Sequence, residues 1–569
     1  MELSNKFNCF ACFFILIGSS HCLPTSNSPK TQIVSTDSGD LIGVTESWKD
    51  NNLSYFLGIP YAQPPVGELR FLKPLPIKPW SGVKATTSLP LRCYQQETPI
   101  FKSSLNKSED CLYLNIVAPS KAIEESQSLA TRRPVLFYLH GGAFVFGAGS
   151  DDPNLSRALV LTQNIILVTV NSRLDVFGYL YHETVPGLVG NQGLWDQNLA
   201  LKWIKRNIHY FGGDPERITL GGLSSGAKAT TAHITSPHAV GLFNNAYLQS
   251  GVALHFQERS TTRVRLAGEE LLNATGCHNE TNKLECLQSF SPSQLINLRS
   301  RKRYSFSPIY GDEYLPNTPD QFLAPSSPAQ IDVNVLFGLL KDDASVFLSR
   351  LEPDVVAERN LSLEDGIKIL SHFVRDEVIC NISQVYFGAC GDSSEEKSDV
   401  QDVRWALIKF YTDISFSCPI FRFAERYSVR QRKGKIFGYY STFKPTKRSV
   451  DLCPNNPYFG VCHADDVPFI FGSPLEDFNS YTHDDLIMSL NMMNILGEFI
   501  RVGKPPIQGT TQWPNWNEKN GQAAMILSPR SLGKLLRSRI EVCKEMYDFF
   551  EDNLLPKLHV YRKEYYNYQ

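Results

Sequence analysis

The first candidate for chemistry is a serine set between glycines. Residues 222–226 read GLSSG and fit the pattern G-x-S-x-G around Ser224. The apolar, strand-like stretch ITLG precedes the pattern, and a predicted helix follows it. In that setting the pattern is typical of a sharp strand-to-helix turn, which lifts the serine Oγ above the edge of a sheet. We therefore predict that Ser224 is a nucleophile. The alternative is a packing turn that simply needs small residues.

A serine hydroxyl needs a base, most often a histidine that a carboxylate orients. Among the twelve histidines, His463 stands in the late loop GVCHADD at 460–466. A late loop histidine suits the chain order serine, acid, histidine that accompanies such turns. The predicted acid is Asp343, which follows the strand-like stretch DVNVLFG. Spacing alone leaves Asp342 and Asp312 as alternatives.

Backbone donors for a negatively charged oxygen are predicted at a second loop. Residues 140–144 (HGGAF) come directly after the strand-like stretch VLFYL. Small residues at this position allow backbone N–H groups to face a reacting carbonyl oxygen.

The elements that must position these residues can also be predicted. Strand-like apolar stretches lie at 33–44, 53–59, 135–139, 165–170, 218–221 and 245–249. Residues 196–208 have helical spacing, and 258–333 are predicted to be helices and loops over the sheet. Fully apolar strands that alternate with helices indicate an α/β fold with a large, mostly parallel central sheet covered by helices on both faces. We expect one domain over residues 23–569.

Composition excludes several classes of protein. The chain has 569 residues, of which 42% are hydrophobic and 20% charged, so it is not a disordered chain. The formal net charge of −2 argues against a nucleic-acid partner. The only long apolar run lies at the N-terminus, which argues against several membrane spans.

That N-terminal run predicts secretion. Residues 10–18 (FACFFILIG) follow Lys6 and precede small residues, as in a signal peptide over 1–22. Cleavage after Ser20 or Cys22 stays open, and the alternative is a buried N-terminal helix. The polar C-terminal end lacks the apolar tail of a GPI signal, so we expect a free extracellular protein without a membrane anchor.

If the protein is secreted, its cysteines are expected to form disulfides and its Asn-x-Ser/Thr sequons to be glycosylated. In an oxidising compartment an even number of cysteines favours disulfides over metal sites. The ten cysteines outside the signal are Cys93, Cys111, Cys277, Cys286, Cys380, Cys390, Cys418, Cys453, Cys462 and Cys543. Glycosylation is predicted at Asn106, Asn154, Asn273, Asn279, Asn360 and Asn381. A further sequon at Asn52 precedes a strand-like run and is the weakest candidate.

Long motifs in a fixed order resemble those of type-B carboxylesterases and cholinesterases. They are FLGIPYAQPP at 56–65, SEDCLYLN at 108–115, HGGAF at 140–144, NQGLWDQ at 191–197 and FGGDP at 211–215. The resemblance covers nearly the whole mature chain. It implies an α/β-hydrolase fold and a secreted serine esterase that acts on small-molecule esters without cofactor or metal.

The resemblance also implies roles for single residues. Ser224 matches the nucleophile, His463 the general base, and Asp343 the position where the family usually has glutamate. The backbone donors of the oxyanion hole match Gly142, Ala143 and Ser225. Two structural ion pairs are implied, Arg70 with Glu109 and Arg173 with Asp196.

Departures from the family pattern bear on the substrate. Leu223 replaces the usual glutamate before the serine, and Phe101 stands where choline-specific members carry tryptophan. By resemblance, Tyr304 and Phe306 line the acyl pocket; the alternative is that they pack in the core. These residues favour small neutral esters over choline esters. The alternative function is a slow or inactive family member that sequesters a ligand or mediates adhesion. The oligomeric state stays open.

The resemblance implies three disulfides, Cys93–Cys111, Cys277–Cys286 and Cys418–Cys543. For the remaining four cysteines the simplest pairing is local, Cys380–Cys390 and Cys453–Cys462. The second local pair would brace the loop that presents His463. The alternative is that some of these four are free buried thiols.

Overall fold

A single large sheet organises the chain. The structure is a computed structural model that describes residues 30–97, 103, 105–151, 156–254, 257–300, 306–327, 333–357, 360–390, 402–430, 434–448, 452–454, 456–507, 511–530, 533–537 and 542–543. The strands are β1 (Lys30–Thr36), β2 (Gly39–Trp48), β3 (Asn51–Pro60), β4 (Val83–Ala85), β5 (Arg92–Cys93), β6 (Lys107–Ser108), β7 (Tyr113–Pro119), β8 (Arg133–Leu139), β9 (Ile166–Val170), β10 (Gly213–Leu223), β11 (Asn245–Gln249), β12 (Asn334–Leu340), β13 (Ile436–Ser441), β14 (Ala524–Leu527) and β15 (Leu535–Leu536).

The sheet is parallel in its centre and antiparallel at its edges. Its order is β1-β2-β3-β7-β9-β8-β10-β11-β12-β13-β14-β15, with β4 beside β2, while β5 and β6 form a separate pair. The neighbours from β9 through β14 run parallel, whereas β1, β2, β3, β7 and β9 pair antiparallel with one another. The expected mostly parallel sheet therefore describes the centre, and the full sheet is mixed.

One predicted strand proves to be two. The apolar stretch at 33–44 folds back on itself as the hairpin of β1 and β2. The turn ends at Gly39, whose φ of 139° is open only to glycine, and a Cβ there would lie 2.5 Å from Nε1 of Trp80. The residues DSGD at 37–40 interrupt the apolar pattern and are typical of such a turn, so the signal was present in the sequence.

Helices cover the sheet. They are α1 (Ser120–Glu124), α2 (Arg157–Gln163), α3 (Asp175–Tyr179), α4 (Gln192–Asn207), α5 (Ser225–Thr235), α6 (Gln257–Thr275), α7 (Lys283–Gln288), α8 (Pro292–Ser300), α9 (Pro319–Leu323), α10 (Ser345–Leu351), α11 (Leu363–Leu370), α12 (Asp376–Phe387), α13 (Val403–Thr412), α14 (Cys418–Arg430), α15 (Val467–Ile470), α16 (Ser473–Glu476) and α17 (His483–Val502). None of the helices described here combines the length and the apolar content that a bilayer crossing requires.

Strand β8 shows why the core has two halves. Val135, Phe137 and Leu139 pack in one apolar cluster, while Leu136 and Tyr138 pack in another. Successive side chains of a strand point to opposite faces, so the two clusters lie on the two faces of the sheet. Burial on both faces explains why the central strands are apolar without alternation.

The parallel centre brings the predicted site residues to one edge. Strands β8, β10, β11 and β12 are neighbours in the sheet and run in the same direction. Their carboxyl ends therefore meet at one edge, where α/β sheets bind their ligands. His140 follows β8, Ser224 follows β10, and Asp343 lies three residues beyond β12.

Candidate active site

Ser224 occupies a strained turn that we call the nucleophile elbow, residues 222–226. It lies between the last residue of β10 and the first residue of α5, with φ 57° and ψ −114°. Such a backbone conformation costs of the order of 1–3 kcal/mol in a residue with a Cβ, and the surroundings must hold it. The N–H of Ser224 donates to the carbonyl of Gln249 at 2.7 Å. The turn thus anchors the serine to the neighbouring strand β11.

The two glycines of the elbow are required by the close approach of backbone. A Cβ on Gly222 would lie 2.5 Å from the carbonyl carbon of Gly226. A Cβ on Gly226 would overlap the carbonyl oxygen of Leu139 at the end of β8. The turn therefore packs against β8 as well as β11, which explains the glycines of the sequence pattern.

The loop after β8 carries the predicted oxyanion donors. Gly142, Ala143 and Phe144 have φ values of 118°, 56° and 65°. A Cβ on Gly142 would overlap the carbonyl oxygen of Phe146, so this loop also depends on glycine. Ser225 is the first residue of α5, and N–H groups at a helix start have no partner within the helix. Such N–H groups are suited to stabilise negative charge.

The predicted base and the predicted acid are joined by a direct hydrogen bond. Nδ1 of His463 lies 2.5 Å from Oδ1 of Asp343, and both side chains are buried. The other oxygen of Asp343 accepts the hydroxyl of Ser250 at 2.7 Å and the N–H of Leu340 at 3.2 Å. Within the described part of the chain, Nε2 of His463 is buried and has no hydrogen-bond partner. Nε2 is therefore available to accept a proton from a serine hydroxyl.

A short chain of hydrogen bonds connects the serine to the histidine. Gln249 accepts the N–H of Ser224, and the next residue, Ser250, donates to Asp343, which bonds to His463. The strands agree with this path, because Leu223 pairs with Gln249 and Gln249 pairs with Gly338. The three side-chain types that acyl transfer requires therefore converge at one edge of the sheet.

The model of the carboxylesterase family matches residues 30–542. The chain belongs to the carboxylesterase family. The acetylcholinesterase of Bungarus fasciatus is 33% identical over 555 residues, which cover 92% of this chain and 86% of that protein. The family resemblance of the motifs and the α/β-hydrolase fold are thus confirmed, and the family is one of serine ester hydrolases.

In this carboxylesterase-family chain the three candidate acids have different partners. Asp343 contacts His463. Oδ2 of Asp342 accepts the backbone N–H of Val461 at 2.9 Å, and Asp312 accepts the N–H of Leu315 at 2.7 Å. The two adjacent aspartates therefore hold the imidazole and the loop that carries it, respectively.

Two aromatic rings pack against the imidazole. The ring centroid of Phe347 lies 5.0 Å from that of His463 in an edge-to-face arrangement, and that of Phe416 lies 5.1 Å away. Phe416 belongs to a π-helical segment, Asp413–Ser417, between α13 and α14. Two rings packed at this distance restrict the rotation of the imidazole.

A second buried carboxyl lies close to the first. Asp466 accepts the side-chain amide of Gln249 at 2.6 Å and the hydroxyl of Tyr439 at 2.8 Å. The hydroxyl of Tyr439 also bonds to that of Tyr247 at 2.7 Å. Burial raises the pKa of Asp466 to about 6, and the nearby charge of Asp343 raises it further, although both donors oppose the rise.

The residues proposed for the acyl pocket are only partly described. Phe306 is buried at 2% exposure and packs in the main apolar cluster. Tyr304 and Phe101 lie outside the described residues. Leu223 is half-buried beside Gly141 and packs with the second apolar cluster.

Both ion pairs that the resemblance implies are present in the structure. Arg70 binds both carboxylate oxygens of Glu109, at 2.5 and 2.6 Å. Arg173 binds both oxygens of the fully buried Asp196, at 2.8 and 2.7 Å. Bidentate pairs of this kind fix the orientation of both partners.

All ten cysteines outside the predicted signal are bonded in the structure. The pairs are Cys93–Cys111, Cys277–Cys286, Cys380–Cys390, Cys418–Cys543 and Cys453–Cys462. The asparagines of five predicted sequons are exposed, namely Asn106, Asn273, Asn279, Asn360 and Asn381. Asn154 lies outside the described residues.

No group of three or more His, Cys, Asp or Glu side chains is placed to hold a metal ion in the part of the chain that the structure describes.

Sequence reasoning missed several residues of the site. Ser250 directly follows the strand next to β10, and a polar residue at that point was the available signal. Phe347 and Phe416 carried no signal, because aromatic residues at those positions are equally suited to an ordinary core. Asp466 was part of the quoted GVCHADD loop, but its burial could not be read from the sequence.

Proposed function

We propose that this protein hydrolyses carboxylic esters through a catalytic triad of Ser224, His463 and Asp343. The observation that carries the proposal is the buried hydrogen bond between His463 and Asp343. Asp343 also accepts the hydroxyl of Ser250, whose neighbour Gln249 accepts the N–H of Ser224. The strained backbone of Ser224 adds support, since strain of this kind is typical of a nucleophile elbow.

The mechanism follows from these atoms. Nε2 of His463 takes the proton of the Ser224 hydroxyl while Oγ bonds to the ester carbonyl carbon. The protonated imidazole then gives that proton to the departing alkoxide, the ester C–O bond breaks, and an alcohol leaves an acyl-enzyme. Water attacks the acyl carbon in the same way and releases a carboxylic acid. Asp343 stays ionised, fixes the Nδ1–H tautomer and stabilises the imidazolium.

The oxyanion formed in each step needs donors. We assign this role to the backbone N–H groups of Gly142, Ala143 and Ser225. The left-handed backbone of the first two and the helix-start position of the third support the assignment. Donors held in advance stabilise charge that develops only in the transition state.

The preferred substrates in this proposal are small neutral esters. Leu223 places an apolar side chain directly before the nucleophile, where a carboxylate would favour a cationic substrate. Phe306 packs in the main apolar cluster, so this preference is supported by Leu223 and not by Phe306.

Choline esters are the second candidate class, since a relative that is 33% identical is an acetylcholinesterase. The two classes differ in the charge of the alcohol group, so one set of substrates separates them.

We also propose that the protein is extracellular, with residues 1–22 removed as a signal peptide. The disulfides and exposed sequons support this, because such bonds persist in oxidising compartments. After expression in a secreting eukaryotic host, the protein should be found in the culture medium, and its N-terminal sequence should begin after residue 20 or 22. Retention in the cell with an intact N-terminus would contradict it.

Hydrolysis assays test the proposed function. Purified protein is assayed with p-nitrophenyl acetate, a long-chain p-nitrophenyl ester and acetylthiocholine, beside Ser224→Ala and the control Ser428→Ala on α14. We expect the acetate ester to give the highest kcat/KM. Ser224→Ala should lose about 10⁵- to 10⁶-fold in kcat, whereas the control keeps full activity. Wild-type preference for acetylthiocholine would select the second class, and an inactive wild-type chain would favour a ligand-sequestering role.

A further inference from the structure

The loop that carries His463 contains two residues with a strained or glycine-dependent backbone conformation. We call residues 456–466 the histidine loop. Ala464, next to His463, has φ 71°, a left-handed conformation that costs a residue with a Cβ about 1–2 kcal/mol. Gly460 has φ 57°, and a Cβ there would overlap the carboxylate of Asp342. Strained backbone of this kind persists only where neighbouring groups fix it.

Arg448 lies outside this loop and reaches it at several points. Its Nε donates to Oδ1 of Asp465 at 2.6 Å, and its Nη2 donates to Oδ2 at 3.0 Å. The guanidinium also donates to the carbonyls of Gly460 at 3.1 Å and Pro454 at 3.3 Å. The side chains of Arg448 and Asp465 are only 11% and 2% exposed. The planar guanidinium has several donors in fixed directions and is therefore suited to join separate segments by hydrogen bonds.

Asp465 extends this contact to the other side of His463. Its Oδ2 accepts the N–H of Cys462 at 2.8 Å, one residue before the histidine. The carboxylate therefore joins positions 462 and 465 across His463 and Ala464. Burial raises the pKa of Asp465, while Arg448 lowers it, so the charge of this carboxylate depends on the guanidinium.

Other anchors hold the loop on each side of the histidine separately. After the histidine, Asp466 accepts the side-chain amide of Gln249 and the hydroxyl of Tyr439. The remaining anchors hold the part before it. Asp342 and Val461 exchange two hydrogen bonds, and Ser345 donates to the carbonyl of Phe459 at 2.7 Å. The Cys453–Cys462 disulfide ends at the residue before His463. Arg448, through Asp465, joins this part of the loop to the part after the histidine.

We propose that Arg448 is a positioning residue for His463. Together with Asp465 it holds the strained turn at Ala464, so that Nε2 faces Ser224 while Nδ1 stays bonded to Asp343. This inference rests on the proposed esterase function. A displaced imidazole slows proton transfer without changing the surfaces that bind the ester, so loss of Arg448 lowers kcat and leaves KM nearly unchanged.

Three variants and one control test the inference. Arg448→Met removes the fork, Arg448→Lys keeps the charge, and Asp465→Asn keeps the shape of the carboxylate without its charge. The control is Arg133→Met at the start of β8, because Arg133 also joins two segments, by bonds to Asn164 at 2.8 Å and Glu125 at 2.9 Å. It lies at the amino ends of the parallel strands, opposite the site.

Two readouts are taken on each variant: steady-state hydrolysis of p-nitrophenyl acetate, and hydrogen–deuterium exchange of peptides covering 456–466. We expect Arg448→Met to lose about 10- to 100-fold in kcat, with a nearly unchanged KM and faster exchange in the histidine loop. Arg448→Lys should recover part of the loss, and Arg133→Met should keep its kcat and its exchange in this loop.

Unchanged kcat and unchanged exchange in Arg448→Met would overturn the inference, as would an equal loss in Arg133→Met. If Arg448→Met does not fold, Arg448→Lys and Asp465→Asn decide by the same criteria. A wild-type chain without ester hydrolysis would defeat the proposed function alone, because the exchange comparison would still decide whether Arg448 holds the loop.

Discussion

The nucleophile elbow and the histidine loop hold their reactive residues by different means. Ser224 lies between a strand and a helix, and its turn is fixed by glycines pressed against the backbone of β8. His463 lies in a loop whose regular structure is a short 3₁₀ turn, Pro457–Phe459. There the fixing groups are side chains, namely buried carboxylates, an arginine and a disulfide.

The two sides of the site therefore respond to different kinds of change. Backbone packing at the elbow involves no titratable group, so its geometry depends on volume and not on pH. The histidine side depends on buried carboxyls, which are costly unless hydrogen-bonded and which respond to protonation. Changes of charge should therefore disturb the histidine side, and changes of side-chain size should disturb the serine side.

The largest effect is expected from the acid next to the histidine. Asp343→Asn should lower kcat by about 10⁴-fold, because the amide favours the wrong imidazole tautomer. The matched control is Asp342→Asn at the adjacent position, which keeps an oxygen for the N–H of Val461 and should lose far less. Steady-state rates on p-nitrophenyl acetate measure both. A greater loss in Asp342→Asn would transfer the role of the acid to Asp342.

Protonation of Asp466 should give the next largest effect. Its pKa is about 6 in the folded chain against an ordinary value of 3.8, so between these pH values only the folded chain holds the proton. Stability from this group is therefore present at low pH and lost as the pH rises from about 4 to about 6. The loss amounts to about 3 kcal/mol in the free energy of unfolding.

Asp466→Asn removes this titration. The free energy of unfolding of the variant minus that of the wild type should rise by about 3 kcal/mol between pH 4 and pH 8, as measured by urea unfolding. A difference that stays constant over this range would show that Asp466 is ionised in the folded chain at both ends.

A change of size should disturb the elbow instead. Gly226→Ala adds a Cβ that overlaps the carbonyl of Leu139, and we expect it to lower the free energy of unfolding by about 1–3 kcal/mol or more. Gly241→Ala is the control, because its Cβ would meet no atom within 4 Å and only the left-handed backbone is disfavoured. The loss in Gly226→Ala should exceed that of the control equally at pH 5 and pH 8. Equal losses in the two variants would show that the elbow tolerates a larger residue.

The smallest effect concerns substrate charge at the elbow. Leu223→Glu should raise the ratio of kcat/KM for acetylthiocholine over p-nitrophenyl acetate by about tenfold, equivalent to 1.4 kcal/mol. Leu223→Gln provides the same shape without the charge and should leave the ratio nearly unchanged. The addition of Phe101→Trp should raise the ratio further, since tryptophan is the better face for a cation. The same rise in Leu223→Gln would exclude a charge effect.

The comparison also explains how much the sequence could predict. The elbow is local: strand, glycines, serine and helix lie within a few residues, so the pattern around Ser224 contains its own structural context. Parallel strands then predict which loops share an edge, which includes the loop at 140–144 and the loop after β12. Spacing did not separate Asp343 from Asp342 or Asp312, and the family resemblance selected Asp343.

The histidine side could not be predicted in the same detail. Arg448 and Asp465 are separated by 17 positions, and Phe416 reaches the imidazole from a segment 47 positions away. Contacts of this kind depend on tertiary packing, which leaves no periodic pattern. The antiparallel edge of the sheet was missed because the apolar pattern of a strand does not record its direction. The hairpin at Gly39 was missed although a turn signal, DSGD at 37–40, was present in the sequence.

The most direct test of the central claim is the initial burst of p-nitrophenolate when the protein is mixed rapidly with p-nitrophenyl acetate. An acyl-enzyme on a single serine predicts a burst that approaches one equivalent per chain when deacylation is the slower step. After acid quench, the intact mass should show one added acetyl group, and peptide mapping should place it on the peptide that contains Ser224. Ser224→Ala should show neither burst nor acetyl group. A burst that survives in Ser224→Ala, or an acetyl group on another residue, would contradict the assignment of Ser224 as the nucleophile.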